Sequence, residues 1–201
     1  MNITARGAMV LAGALFAGGA FAPAPAQTGD STVTDTVWRF PSVGGRSLTG
    51  RSMALPADFE GDLNLVLVAF KRQQQADVDT WTPYLRPLAA ERPGLRVYEL
   101  PTLSGGLGIV RSFIDGGMRR GIPDSTVRAA TVTLYIDKDP FKAALRIPDE
   151  DRIQLFLVER GGRIRWHAVG RYTPEVFEQL ETITSAPPRS LGAQPRADAR
   201  G

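Results

Sequence analysis

Two kinds of apolar spacing alternate along this chain. From Leu63 to Phe70 (LNLVLVAF) nearly every position is apolar, the pattern of a strand buried on both faces of a sheet. From Asp77 the period lengthens, and Val78, Trp81, Tyr84-Leu85 and Leu88 fall on one helical face. Asp77 is placed to cap that helix and Pro93-Gly94 to end it. Leu95 to Leu100, closed by Pro101, predicts a second strand, and Ala130 to Ile136 a third. Between them, residues 102–128 form a longer excursion, with Leu107, Val110, Phe113-Ile114 and Met118 at helical spacing and Gly116-Gly117 and Pro123 as breaks. Ahead of the first strand, Thr36 to Leu55 alternates around Gly44-Gly45 and Gly50, which predicts a β-hairpin.

The carboxyl-terminal third repeats the two spacings. A short helical piece spans Pro140 to Leu145, then Ile153 to Val158, the Gly161-Gly162 turn and Arg163 to Val169 make a hairpin. Thr173 or Tyr172 opens a last helix, Pro174 to Ile183, with Val176, Phe177 and Leu180 inward and proline in its first turn. The order is hairpin, β, α, β, α, β, hairpin, α. It defines one α/β domain at 36–184, a central mixed sheet flanked by helices with an N-terminal β-hairpin and a helical insertion.

The ends have a different character. Residues 1–26 read as an export signal: Arg6 supplies the positive charge, Val10 to Ala22 is apolar, and Ala24-Pro25-Ala26 gives small residues before Gln27. The apolar run is too short and glycine-rich for a comfortable membrane span. Cleavage and a periplasmic destination are therefore expected, with secretion or an N-terminal anchor as alternatives. Residues 27–35 are expected to be a flexible tail. Residues 185–201, rich in Pro, Gly and Arg, are expected to be disordered.

Composition narrows the chemistry. The net charge of +3 carries no dense Lys/Arg stripe interleaved with aromatics, so nucleic acid is not an expected partner. Lys71, Lys138 and Lys142 are the only lysines, the other positive side chains being arginine, as genome base composition would produce. The chain has no cysteine, so it forms no disulfide, carries no cysteine-linked lipid and has no thiolate.

Particular segments resemble known proteins. Residues 48–70 (LTGRSMALPADFEGDLNLVLVAF) and 155–170 (LFLVERGGRIRWHAVG) resemble the first strand region and terminal hairpin of exported thiol-disulfide and peroxiredoxin-type domains of the thioredoxin-like superfamily. Within it, AFKRQQQADVDTW, FIDGGMRRGIPD and RIRWHAVGRYTPEVFEQL look most like the mitochondrial ATP synthase assembly factor ten family. The resemblance covers about residues 36–184 and implies a thioredoxin-like domain that assists assembly of a membrane or envelope complex. The chain departs from the redox pattern where chemistry would sit. KRQQQ stands where redox members carry their cysteine pair, and Ile153-Gln154 where they carry the cis-proline and the residue after it; Pro148 comes five residues earlier. Thiol-disulfide exchange and thiol peroxidase activity need a thiolate that this chain lacks.

Other catalytic sets are sparse. His167 is the only histidine, on a strand between Trp166 and Ala168, and alternation turns one of Trp166 and His167 outward. Asp77, Asp79, Asp115, Asp124 and Asp137 follow no metal-loop spacing and read as caps and turn residues. Gly105-Gly106-Leu107-Gly108 lacks the Gly-Lys-Ser/Thr of a phosphate loop. What is left is a binding surface with no cofactor and no metal. Arg72, Gln73, Gln74, Asp79 and Trp81 open the first helix at the carboxyl edge of the sheet, where this architecture holds ligands. Asp115, Met118 and Arg119 lie in the excursion that follows the second strand. The expected partner is an extended peptide of another protein, read by amide and guanidinium groups, with peripheral membrane contact or none. Two alternatives use the same cleft: a small-ligand carrier, and a non-thiol enzyme pairing Asp79 or Asp115 with His167.

Overall fold

The computed structural model describes residues 37–105 and 124–185. The expected signal and N-terminal tail, the body of the helical excursion at 106–123, and the tail from 186 onward lie outside the described residues. No helix among the described residues is long and apolar enough to cross a membrane.

Seven strands form one mixed sheet. They are β1 (Val43–Ser47), β2 (Ser52–Leu55), β3 (Leu63–Ala69), β4 (Leu95–Ser104), β5 (Val132–Ile136), β6 (Gln154–Glu159) and β7 (Ile164–Val169), in the order β2-β1-β5-β4-β3-β6-β7. The β3–β4 and β4–β5 pairs are parallel. The two hairpins, β1–β2 and β6–β7, are antiparallel and attach to β5 and β3 respectively. Helices α1 (Gln75–Glu91), α2 (Ser125–Ala130), α3 (Lys138–Leu145) and α4 (Pro174–Ser185) cover the two faces.

Strand β3 shows why its sequence is continuously apolar. Leu63, Leu65 and Leu67 point into one core with Val78, Trp81, Leu85 and Leu88 of α1 and Leu180 of α4. Val66 and Val68 point into the other, with Phe40, Phe59, Phe141, Leu145 and Phe156. With both faces covered, alternation has nothing to distinguish. The polar residue in the run, Asn64, is fully buried and satisfied: its amide donates to the Gly61 and Val158 carbonyls and accepts from the Gly61 N–H. At the β6–β7 turn Gly162 has φ +84°, and a Cβ there would stand 2.8 Å from Pro56. Only glycine fits both demands.

Three local expectations change. A 3-10 turn, Arg72–Gln74, precedes α1, and Gln74 occupies the cap position without a side-chain cap bond. Asp77 therefore lies inside the first turn, where it meets Arg171 at 3.4 Å, rather than capping. Pro101 does not close β4, which continues to Ser104. It stands where the β3 ladder ends, opposite Ala69, and the β5 ladder continues from Thr102, so its missing N–H costs little pairing. Asp124 caps α2, accepting from the Thr126 and Val127 N–H groups, and Asp137 caps α3, as cap readings of those aspartates require. Helix α1 also contains Pro83 and Pro87. Both are exposed, one turn apart on the water side, where the carbonyls they free are solvated.

Candidate functional site

The carboxyl edge of β3 is built around Gln74. Phe70 and Lys71 leave the strand, and their N–H groups donate to Gln74 Oε1 at 2.7 and 3.1 Å. Gln74 Nε2 donates to the Glu150 carbonyl at 2.8 Å. Only 4% of the residue is exposed, so its amide is spent on the fold. It ties the turn after β3 to the loop before β6, which sequence alone assigns to neither task.

Charges close the same edge. Glu150 accepts from Lys138 Nζ at 2.6 Å and Lys142 Nζ at 3.1 Å, and Lys142 also reaches Asp139 at 3.2 Å. Lys71 Nζ pairs with Asp151 at 2.8 Å. Lys138 further sits 5.9 Å from the centre of the Phe70 ring. The hydrogen bond from Lys138 leads the effects that hold the Glu150 carboxyl below the ordinary carboxylate range. Glu150 in turn holds Lys142 above the usual lysine value, and Asp151 does so for Lys71. Every lysine of the chain is in this network. The sequence held that signal, three lysines against an arginine background, but only the fold shows them converging.

Of the residues expected to bind, the fold brings Arg72 and Gln73 together at this turn. Both are exposed, without a side-chain hydrogen bond or ion pair among the described residues. Gln74 is interior, as above. Trp81 is also interior, 1% exposed, with its indole N–H donating to the Gly170 carbonyl at 3.0 Å; it is a core residue of α1 and presents nothing at the edge. Asp79 is exposed on the flank of α1, where Gln75 Nε2 donates to it at 3.0 Å. Asp115, Met118 and Arg119 lie outside the described residues.

His167 belongs to the opposite face from α1. It stacks on Phe156 at 4.6 Å, meets Trp38 edge-on at 5.6 Å, and bonds Gln154 Oε1 through Nε2 at 2.9 Å. The Gln154 amide nitrogen donates to the Arg152 carbonyl, so its oxygen accepts and His167 Nε2 carries the proton. Burial pushes the imidazole below its usual value. Neither Trp166 nor His167 turns fully outward, since Trp166 packs beside α4 in the other core. Asp79 and His167 are separated by the sheet, which removes that pairing from the non-thiol reading. Ile153 is fully buried where a redox member would place its proline.

The chain matches no protein family and no curated protein. Solved structures do resemble it. A SCO1/SenC family lipoprotein from Bacillus anthracis superposes with a TM-score of 0.52 at 12% identity, over 74% of this chain and 94% of that one. Yeast Sco1 with copper bound gives 0.51 at 13%, over 76% and 97%. A thiol:disulfide interchange protein from Bacteroides sp. gives 0.50 at 20%, over 75% and 91%. The fold is thioredoxin-like, a single α/β domain with a mixed seven-stranded sheet between helices. At the carboxyl edge of β3, where the resemblance implies a cysteine pair, this chain has a lysine–carboxylate network closed by a glutamine.

Proposed function

We propose that this protein is an exported, redox-inactive thioredoxin-like module that holds a protein partner at the carboxyl edge of β3. The observation that carries the reading is the construction of that edge. Gln74 and the Lys71–Asp151 and Lys138–Glu150–Lys142 contacts fix the backbone, while Arg72 and Gln73 stay exposed and uncommitted. A rigid turn offering a guanidinium and an amide suits recognition of backbone carbonyls and carboxylates, and fixing it beforehand lowers the ordering cost of binding. Chain chemistry supports binding over turnover, because no thiolate exists to be oxidised. A copper site of soft donors also fits poorly: there is no cysteine, and the one histidine is engaged with Gln154. The likeness to the assembly factor ten family points to a membrane or envelope complex as the source of the partner.

The test is affinity purification of the tagged, full-length protein from its native envelope, beside an Arg72→Ala, Gln73→Ala variant. The reading predicts a stoichiometric partner lost in the variant, with the melting temperature unchanged. A partner retained equally by both would move binding elsewhere on the domain.

A further inference from the structure

We propose that the proline- and arginine-rich segment 186–201 docks back on the face that α1 and α4 share, against an aromatic cluster of Tyr84, Tyr172 and Phe177. Tyr84 of α1 stacks on Tyr172 at 3.7 Å with 5° between the rings, and Phe177 of α4 leans on both, at 5.6 and 5.8 Å. Trp81 meets Tyr172 edge-on from beneath and is buried, but the three outer rings are not. Tyr84 is 40% exposed, the one large apolar side chain left so open among the described residues, and Tyr172 and Phe177 are half-buried. The cluster shares no residue with the Arg72–Gln73 turn, so the inference stands apart from the partner-binding proposal.

Charge and tethering select the occupant. Helix α4 carries Glu175, Glu178 and Glu181 and no basic residue. All three are exposed, and none forms an ion pair among the described residues. Glu181 follows Phe177 by one turn and so borders the cluster. Burial and the hydrogen bond with Tyr84 lead the effects that push the Tyr172 phenol up, and the charges of Glu175 and Glu181 add to them. An arginine answers both features, because its guanidinium pairs with carboxylates and stacks on a tyrosine ring. Segment 186–201 (APPRSLGAQPRADARG) holds Arg189, Arg196 and Arg200 against the one acid Asp198, with Pro187-Pro188 and Pro195 between. Proline fixes such a segment in extended form beforehand, which suits docking on aromatic surfaces. The tether brings it there. Helices α1 and α4 run side by side in the same direction: the Tyr172 N–H donates to Thr80 Oγ1 at one end, and Arg92 donates to the Thr184 and Ser185 hydroxyls at the other. The segment therefore leaves α4 beside Arg92, with Phe177 about 12 Å back along the helix axis. At about 3.1 Å per extended residue, residues 186–196 cover that distance after turning. Attachment to the same chain gives the segment an effective concentration that a free peptide lacks.

The chain has no cysteine, so Ala193→Cys gives the full-length protein a single site for a nitroxide label within the segment. Amide relaxation is then measured by NMR in this chain and in one that also carries Arg189→Glu and Arg196→Glu. Expected is a paramagnetic enhancement at Tyr172, Phe177 and Glu178 at least about fivefold greater in the first chain than in the second, with Gly44 and Gly45 of β1 unaffected in both. Tyr84→Ala, which removes an exposed ring, is expected to abolish most of that enhancement while keeping the melting transition. Equal enhancement in the two chains, or enhancement confined to Thr184 and Ser185, would overturn the assignment. So would enhancement transmitted from a spin-labelled chain to an unlabelled one in a mixture, since the occupant would then be a second copy.

Discussion

Replacing Gln74 by alanine separates two adjacent glutamines that sequence treats alike. In Gln74→Ala the Phe70 N–H, which is buried, loses its acceptor, and the Glu150 carbonyl loses its donor. The Lys71 N–H is only partly buried and turns to water. A buried donor left without a partner costs about 1–3 kcal/mol, and the partly buried carbonyl adds a fraction of that. The loss should total about 2–3 kcal/mol, which for a domain of this size lowers the melting temperature by about 4–12 °C. Gln73→Ala, one residue away and exposed, should stay within about 0.5 kcal/mol of wild type. Urea unfolding monitored by tryptophan fluorescence measures both, with equal slopes required for the comparison. If the two variants are equally stable, Gln74 does not clamp the edge and the reasoning about it fails.

Other expected outcomes concern pH. Glu150 is held low in the fold, so its contribution is fully present above the unfolded value near 4.5 and disappears as pH falls through the depressed native value. Asp124 and Glu175, held low chiefly by backbone N–H groups, lose their contributions in the same direction, Glu175 below 4.5 and Asp124 only below 3.8. The check is therefore the difference between wild-type and Glu150→Gln melting curves, which should shrink steadily below pH 4.5. His167 is depressed by burial, so stability is greatest above 6.5 and declines as pH drops below that value. As the chain's only histidine, it gives a single imidazole signal by NMR. That signal should titrate below 6.5, and His167→Phe should remove the loss of stability between pH 6.5 and 5.

Much of the scaffold was legible because burial writes itself into spacing. The unbroken run Leu63 to Phe70 needs apolar groups on two faces, and both hairpins are announced by glycine. The same spacing held the answer on Trp81. With Val78, Leu85 and Leu88 it forms the inward stripe of α1, and that stripe is a stronger guide than the helix's location at a functional edge. Gln74 carried no such signal, because its partner Glu150 lies 76 residues away and no local pattern encodes a long-range amide clamp. The Asp77 cap failed for a related reason: the chain makes one tighter turn first, stabilised by the Gln74 side chain, which moves the helix start upstream.

The role proposed for the Arg72–Gln73 turn is to hold a partner and do no chemistry of its own. It is tested most directly by placing a photo-crosslinking amino acid at Gln73 and, separately, at Glu178 on the exposed side of α4, then irradiating cells expressing each protein. One discrete adduct is expected from position 73, absent from position 178 and abolished by Arg72→Ala. The same adducts from both positions, or none from position 73, would contradict it.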